Sequence, residues 1–474
     1  MLPNTASSRT INMKSNLKTA FQTVVSLFFL WGFITVLNDV LISYFKERYV
    51  LSDFESMFVQ FFFFGAYGIG ATTYYLIGTF SQDPINRIGY KKGMVIGAVI
   101  TGLSCAMFYP TMMVDSYYVN IIPLIFLGLG LTLLQIACNP YVILLGDVDS
   151  ADSRLNLAQG LNSVGTALSP VIGGFFIFVY FEGTTAIQVP FLFCGGLFLA
   201  VAFILWRTQL PEFSSEESAS GSVWSYNQLK FGMIAIFLYV GAEVAIGSKL
   251  IDYAQTSDGG AFNRFTASQL LGFYWGGAMI GRLLSPILKS QKSILIRTIN
   301  TLLLIGFGYF LLNSSISLLT YFKGEVNMGF AELFGINLYN SIPFILAAVA
   351  MSFLASLTYK KVNLSLGSFA LANIVLLGFS FLAGGKIGLW LIIATGLFNS
   401  IMWSNIFVLA TSGLGKLKSK GSSLLIIMIV GGAFFPLLLG LVSDLFNPRI
   451  AYLVPIISYL YIFFYSKLSK LAHE

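Results

Sequence analysis

The chain has 474 residues, of which 56% are hydrophobic and 10% are charged. Ordinary soluble domains carry roughly a quarter charged residues, so this composition excludes a soluble protein and predicts a polytopic membrane protein. The single histidine is the penultimate residue, His473, which argues against a His-rich metal site, and the net charge of +7 is spread over loops rather than gathered in a nucleic-acid patch.

The N-terminal part of the chain is predicted to form six membrane helices, because a span needs about 20 apolar residues. Residues 1–20 are polar and basic, lack a cleavable signal pattern and are predicted to be a cytosolic tail. The apolar segments of the first bundle, residues 21–207, run approximately over 21–45, 54–80, 93–113, 118–145, 154–181 and 187–207. Residues 208–227, rich in Ser and Glu, predict a cytosolic linker.

The second bundle, predicted over residues 228–468, contains eight apolar segments rather than six. They run approximately over 228–254, 265–288, 293–319, 340–358, 366–384, 388–412, 421–444 and 449–467. A short cytosolic tail, residues 469–474, is predicted to follow them.

An internal repeat locates the two surplus segments. Gly65 and Gly277 are 212 residues apart, whereas Gly165 and Gly431 are 266 residues apart, so an insertion lies between these two pairs of positions. Residues 293–360 hold the two additional apolar segments. We therefore predict an all-α integral membrane fold of two pseudo-symmetric six-helix bundles with an inserted helix pair, which gives fourteen helices.

The distribution of basic residues predicts the orientation. When loops are assigned to alternate sides, most Lys and Arg residues fall on the side that carries both ends of the chain. Because basic loops stay in the cytoplasm, both termini are predicted to be cytoplasmic, and the chain is expected to be a multi-pass protein of the cell inner membrane.

Amide side chains interrupt the apolar segments at helical spacing. Gln135 and Asn139 lie one turn apart, and Asn156, Gln159 and Asn162 follow one face of the next segment. In hydrocarbon, such a face must meet protein partners or a polar ligand. An amide both donates and accepts, which suits a ligand that carries neighbouring hydroxyls. Hydrogen bonds between helices are the alternative, and we favour them for Asn139, which precedes Pro140, and for Asn156.

Two carboxylates lie inside apolar segments. Asp39, beside Asn38, is in the middle of the first segment, and an intramembrane acid is costly and usually functional. We predict that Asp39 is an ion-coupling residue, with an internally paired structural role as the alternative. Glu243 is the second candidate for coupling. The candidate substrate-binding residues are Asn38, Gln135, Asn139, Gln159, Asn162, Glu243, Trp275 and Asn399.

Several stretches carry a family resemblance. They are FFLWGFITVLNDVLI (28–42), CNPYVILLG (138–146), SRLNLAQGLNSVGT (153–166), GAEVAIGS (241–248), YWGGAMIGR (274–282), GLFNSIMW (396–403) and IVGGAFFPLL (429–438). Together they resemble the fucose permease and glucose/galactose transporter family of the major facilitator superfamily. The resemblance spans nearly the whole chain except the linker and the 293–360 insertion. It implies alternating access between two bundles.

The resemblance also implies site chemistry. The fucose permease has an essential acid in an Asn-Asp motif, which here is Asn38-Asp39. Its second acid, in the fourth helix, corresponds to Gln135 in this chain, so a proton relay through two carboxylates is not implied. The resemblance favours H⁺ as the coupling ion. Na⁺ stays open, with a possible site near Asp39, Asn38 and Gln135.

These observations predict a cation-coupled symporter, not an enzyme, that imports a hexose such as glucose, galactose or fucose without a cofactor. The expected partners are the monosaccharide, the cation and membrane lipids, and the expected state is a monomer that binds no nucleic acid. Drug or metabolite efflux is the first alternative. A membrane enzyme acting on lipid-linked sugar would need an acidic metal motif or a large loop domain, and a transporter-like sensor would need a longer signalling tail than SKLSKLAHE.

Overall fold

The computed structural model describes residues 5–81, 83–145, 151–213, 222–289, 293–322 and 338–469. Within these ranges the chain is helical and contains no strand. The fourteen long helices are α1 (Thr5–Arg48), α2 (Phe58–Phe80), α3 (Tyr90–Thr111), α4 (Ile122–Leu144), α5 (Ala151–Phe175, extended by a π-turn over Phe176–Tyr180), α6 (Thr185–Arg207), α7 (Asn227–Gln255), α8 (Arg264–Lys289), α9 (Ile294–Phe322), α10 (Leu338–Thr358), α11 (Val362–Ala383), α12 (Gly385–Asn399 and Met402–Thr411), α13 (Lys418–Ile427 and Gly431–Leu445, joined by the 3₁₀ turn Met428–Val430) and α14 (Val454–Leu468).

The predicted all-α fold with fourteen helices is confirmed. In the described part of the chain, eleven helices are long and apolar enough to cross a membrane, and α2, α8 and α10 complete the set of fourteen. The helix α8 is less apolar than those eleven because Gln269, Arg282 and four glycines lie between its ends. Parts of the predicted tails and linker, namely 1–4, 214–221 and 470–474 with His473, lie outside the described residues, and these domain boundaries stay predictions.

The two bundles repeat one packing pattern. In the first, α1 packs against α5, α2 against α4, and α3 against both α4 and α6. In the second, α7 packs against α13, α8 against α12, and α11 against both α12 and α14. The helices α7, α8 and α11–α14 therefore correspond to α1–α6, which leaves α9 and α10 as the additional pair.

The additional pair packs on the outside of this arrangement. The helix α9 contacts α8 and α5, while α10 contacts α8, α11 and α12. Only 17% of the apolar window of α9 is buried, and side chains such as Leu303 and Phe353 are about two-thirds exposed. Such a surface suits hydrocarbon, so the pair covers the bundles from the lipid side.

Glycines set the close approach of equivalent helices in the two bundles. A Cβ atom on Gly165 of α5 would lie 2.3 Å from the carbonyl oxygen of Phe29 in α1, and one on Gly431 of α13 would lie 1.9 Å from that of Phe237 in α7. Each glycine thus lets one helix rest on the backbone of its neighbour. The equivalence of Gly165 and Gly431, deduced from their spacing in the sequence, therefore reflects the same need for a small residue where two helices touch.

Replacing Gly165 with valine is expected to lower the thermal stability of the purified protein, because α1 and α5 must separate to admit the side chain. Overpacking of this kind costs about 1–3 kcal/mol or more. A Cβ atom on Gly196 of α6 would meet no other atom within 4 Å, so Gly196→Val is the control. Equal melting temperatures for the two variants would contradict the close-approach argument.

The ends of the helices define two faces. The far face carries the end of α1, the start of α2, the end of α7, the start of α8 and the end of α13. The near face carries the start of α1 and the end of α14. A capping box at Ser52, in which Ser52 Oγ accepts from the Glu55 N–H and the Glu55 carboxylate accepts from the Ser52 N–H, fixes the short far-face helix Asp53–Ser56.

Candidate functional site

Asp39 lies where the two bundles meet. Its Oδ1 accepts hydrogen bonds from Gln60 Nε2 at 2.8 Å and Ser248 Oγ at 2.9 Å, and its Oδ2 accepts one from the Trp275 indole at 3.1 Å. Gln60 Nε2 also donates to Ser248 Oγ at 2.9 Å. The carboxyl group is thus held by α1 and α2 of the first bundle and by α7 and α8 of the second.

The three donors around Asp39 are neutral. The side chain is buried, and no cation of the described residues lies within ion-pair distance of it. Neighbouring Asn38 is fully buried, and neither atom of its amide has a hydrogen-bond partner in the described part of the chain. A buried carboxylate without a cation and a buried amide without a partner are both costly, which makes this region a candidate site for a ligand or an ion.

The amides of α4 and α5 take different positions. Gln135 is buried, and none of the described residues donates to or accepts from its side chain. Asn139 accepts from Gln159 Nε2 at 3.3 Å, so these two predicted ligands contact each other. Asn162 donates to the backbone oxygen of Phe28 in α1 at 2.9 Å. Asn156 is exposed.

Asn399 is embedded in a network inside the second bundle. Its Oδ1 accepts from Asn373 Nδ2 and from the Tyr459 hydroxyl, both at 2.8 Å, and its Nδ2 donates to the Tyr274 hydroxyl at 3.1 Å. The helix α12 is interrupted immediately after this residue. Because both polar atoms of the amide are engaged, Asn399 anchors the broken helix in this structure.

Glu243 forms an ion pair with Arg282, with 3.5 Å between Oε1 and the guanidinium. Arg282 also donates to Ser163 Oγ of α5 at 3.1 Å, which joins the two bundles at a second point. The Tyr274 hydroxyl donates to the backbone oxygen of Glu243 at 2.8 Å. Unlike Asp39, Glu243 therefore has a cationic partner.

Sequence reasoning missed two of the groups that hold Asp39. Gln60 is an isolated amide in the aromatic run FVQFFFF (58–64), and Ser248 closes the motif GAEVAIGS. A lone amide in an apolar helix was the available signal for Gln60. Trp275 was predicted as a substrate-binding residue, and in this structure its indole N–H bonds to Asp39. The roles predicted for all these residues stay predictions.

The comparisons with known proteins agree with this architecture. The sequence model of the Major Facilitator Superfamily matches residues 19–424. The chain belongs to the Major Facilitator Superfamily. It is 32% identical over 457 residues to a glucose/galactose transporter of Brucella abortus, which covers 94% of this chain and 93% of that relative. This family membership confirms the resemblance identified from the sequence motifs.

The crystal structure of a more distant relative is known. The chain is 25% identical over 480 residues to the L-fucose-proton symporter of Escherichia coli, which covers 94% of this chain and 92% of the symporter. A crystal structure of the E. coli fucose:proton symporter superimposes with a TM-score of 0.62 at 23% identity over 96% of this chain and 99% of that one, a likeness of fold. These relatives are transporters, which confirms the prediction that this superfamily member is not an enzyme.

Proposed function

We propose that this protein is a secondary active transporter that imports a hexose together with a cation by alternating access. The names of the relatives support a sugar substrate, with glucose, galactose and fucose as the candidates. We further propose that it works as a monomer in the cell inner membrane. Both termini are placed in the cytoplasm in this proposal, because most basic residues fall on the side that carries them.

The observation that carries the coupling proposal is the donor set of Asp39. Gln60 belongs to the same bundle as Asp39, whereas Ser248 and Trp275 belong to the other bundle. If the bundles separate at the far face, Asp39 loses two of its three donors and gains water. Because hydrogen bonds and hydration set how stable the ionised form is, access to the site and the charge of Asp39 are linked.

The same geometry supports H⁺ over Na⁺. Two of the three groups bonded to Asp39 offer N–H donors, from Gln60 and Trp275, whereas Na⁺ needs several oxygen ligands. A proton requires no ligand set beyond the carboxyl group itself. The E. coli relative is named a proton symporter, which points the same way.

The amides of α4 and α5 support the sugar site. Gln135 is a buried residue whose amide has no partner among the described residues, so the amide is available to a hydroxyl. The Asn139–Gln159 pair is half-buried and can exchange its 3.3 Å bond for bonds to a ligand. Each amide donates and accepts, which matches the paired hydroxyls of a hexose.

Uptake by the purified protein in proteoliposomes tests the function. Radiolabelled glucose, galactose and fucose are supplied under an imposed inward pH gradient, an imposed inward Na⁺ gradient, or neither, and accumulation above equilibrium is measured. We expect accumulation of at least one hexose under the pH gradient alone. Accumulation only under the Na⁺ gradient would show that the coupling ion is Na⁺ rather than H⁺. Transport of lipophilic cations without hexose transport would favour the efflux alternative.

Replacing Gln135 with alanine is expected to weaken hexose binding by about 1–3 kcal/mol without lowering the melting temperature, because only the ligand loses a partner. Asn399→Ala is the contrasting variant. It leaves the Asn373 and Tyr459 donors unpaired in the protein, so it is expected to lower the melting temperature. Hexose titration monitored by tryptophan fluorescence, together with thermal unfolding, measures both. Unchanged affinity in Gln135→Ala would remove Gln135 from the sugar site.

A further inference from the structure

A charged cluster closes the far face between the two bundles. Lys249 of α7 is 1% exposed and binds the carboxylate of Asp53, which precedes α2. Lys46 of α1 binds the same carboxylate and lies 3.3 Å from Asp252 of α7. Both the Lys249–Asp53 and the Lys46–Asp252 contacts therefore join one bundle to the other.

Helix α13 adds two more contacts between the bundles. Ser443 donates to the Asp53 carboxylate, and the Asp444 carboxylate accepts from the backbone N–H groups of Asp53 and Phe54, both at 2.8 Å. A Cβ atom on Gly440 would lie 2.7 Å from the Asp53 carbonyl oxygen, so α13 lies directly on the short helix. Asp53 is held from both bundles at once.

The charges in this cluster stabilise one another. Burial opposes ionisation of Asp53, but the Lys249 and Lys46 ammonium groups outweigh it and lower the pKa of Asp53 to about 2. An ammonium group as buried as that of Lys249 is costly without close carboxylates; Asp252 of its own helix lies 3.7 Å away, but the nearer carboxylate, Asp53, belongs to the other bundle. Separation of the bundles at this face would break the Lys249–Asp53 contact.

The cluster is adjacent in sequence to one of the donors to Asp39, the proposed coupling carboxylate. Ser248, which donates to Asp39, directly precedes Lys249 in α7. A displacement of this turn of α7 therefore moves a donor of Asp39 and the cation of the cluster together.

We propose that Lys46, Asp53, Lys249 and Asp444 form a lock between the bundles that holds the far face closed, and that Lys249 is a positioning residue that keeps Ser248 on Asp39. The positioning role rests on the proposed function, because Asp39 is the proposed coupling group. The lock itself depends only on the two bundles moving relative to each other, so it can be tested without a substrate.

The test measures the distance across the far face. Spin labels are attached to cysteines at Tyr118 and Asp258, which are exposed on the two bundles at this face, in protein reconstituted in nanodiscs. The native cysteines, Cys105, Cys138 and Cys194, are buried and are replaced by serine or left unlabelled. Electron–electron resonance then gives the distance distribution for each variant.

Lys249→Met and Asp53→Asn are each expected to move the main population to a longer distance, and the double variant is expected to shift it by less than the two single effects combined, because both remove one contact. Arg48→Met breaks an ion pair with Asp115 at the same face but within one bundle, so it is the control and is expected to leave the distribution unchanged.

Distance distributions of Lys249→Met and Asp53→Asn that match the unsubstituted protein would overturn the lock. If these two buried variants do not fold, Asp444→Asn, at an exposed position, weakens the other contact of the lock, from α13 to the Asp53 and Phe54 N–H groups, and should also lengthen the distance. Longer distances in the absence of any hexose uptake would support the lock while rejecting the proposed function, so the two outcomes can be told apart.

Discussion

Replacing Asp39 with asparagine is expected to abolish accumulation of hexose against its gradient while leaving exchange of labelled for unlabelled hexose measurable. The substitution keeps the shape of the side chain and removes its capacity to carry a charge. Each pH unit supplies about 1.4 kcal/mol to a coupled transporter, or about tenfold accumulation at one proton per sugar. The variant is expected to reach only equal concentrations on the two sides.

The geometry explains why this variant should still bind and exchange sugar. The oxygen that accepts from Gln60 and Ser248 can be retained in asparagine, and the new amide N–H₂ then faces the Trp275 indole. Only the hydrogen bond from Trp275 is lost, at a cost of about 1–3 kcal/mol, and the bonds from Gln60 and Ser248 remain. Measured exchange therefore also shows that the variant is folded.

Proteoliposome uptake with and without a pH gradient, followed by counterflow exchange, measures both activities. Asp115→Asn is the matched control, because Asp115 is an exposed carboxylate at the far face. If Asp39→Asn still concentrates hexose, coupling resides elsewhere, and Glu243→Gln becomes the next variant to test.

Replacing Arg282 with methionine is expected to destabilise the protein more than any other single change to the central polar residues. The substitution leaves the buried Glu243 carboxylate without its cation and removes the hydrogen bond to Ser163 in the other bundle. Removing one partner of a buried ion pair costs about 3–5 kcal/mol, and the partial exposure of Arg282 favours the lower end of that range.

The double variant Arg282→Met with Glu243→Gln decides whether the ion pair is the cause. A neutral amide at position 243 needs no cation, so the double variant is expected to recover much of the lost melting temperature. Thermal unfolding in detergent measures the four proteins of this cycle. Strictly additive losses would show that Arg282 acts through Ser163 or through packing rather than through Glu243.

The Glu243→Gln variant of this cycle also distinguishes the roles of the two intramembrane acids, Glu243 and Asp39. Because Glu243 has a cationic partner and Asp39 has only neutral ones, Glu243→Gln alone is expected to retain accumulation under a pH gradient. Loss of accumulation in Glu243→Gln but not in Asp39→Asn would reverse the roles proposed for them.

Local pattern was sufficient to predict much of the fold. Apolar segments of spanning length predicted the membrane helices, and the change of offset between Gly65–Gly277 and Gly165–Gly431 predicted an inserted pair. The sequence shows these features because a segment in hydrocarbon must be apolar along its whole length. Gly165 and Gly431 also meet the same steric requirement, each in its own bundle.

The sequence also singled out Asp39, because an acid inside an apolar segment is unusual whatever surrounds it. The sequence did not predict its partners. Ser248 lies 209 residues away along the chain and Trp275 lies 236 residues away, so their contacts with Asp39 exist only once the bundles dock.

The tertiary structure alone decided which polar residues are already paired. Asn399 and Gln135 look alike in sequence as amides within apolar helices, yet the first is saturated by three side chains and the second has no partner in the described chain. Lys249 and Asp53 likewise lie in separate bundles and meet only at the closed far face. Spacing within one helix fixes which face a side chain takes, whereas its partner depends on how distant helices pack, and that is a property of the whole fold.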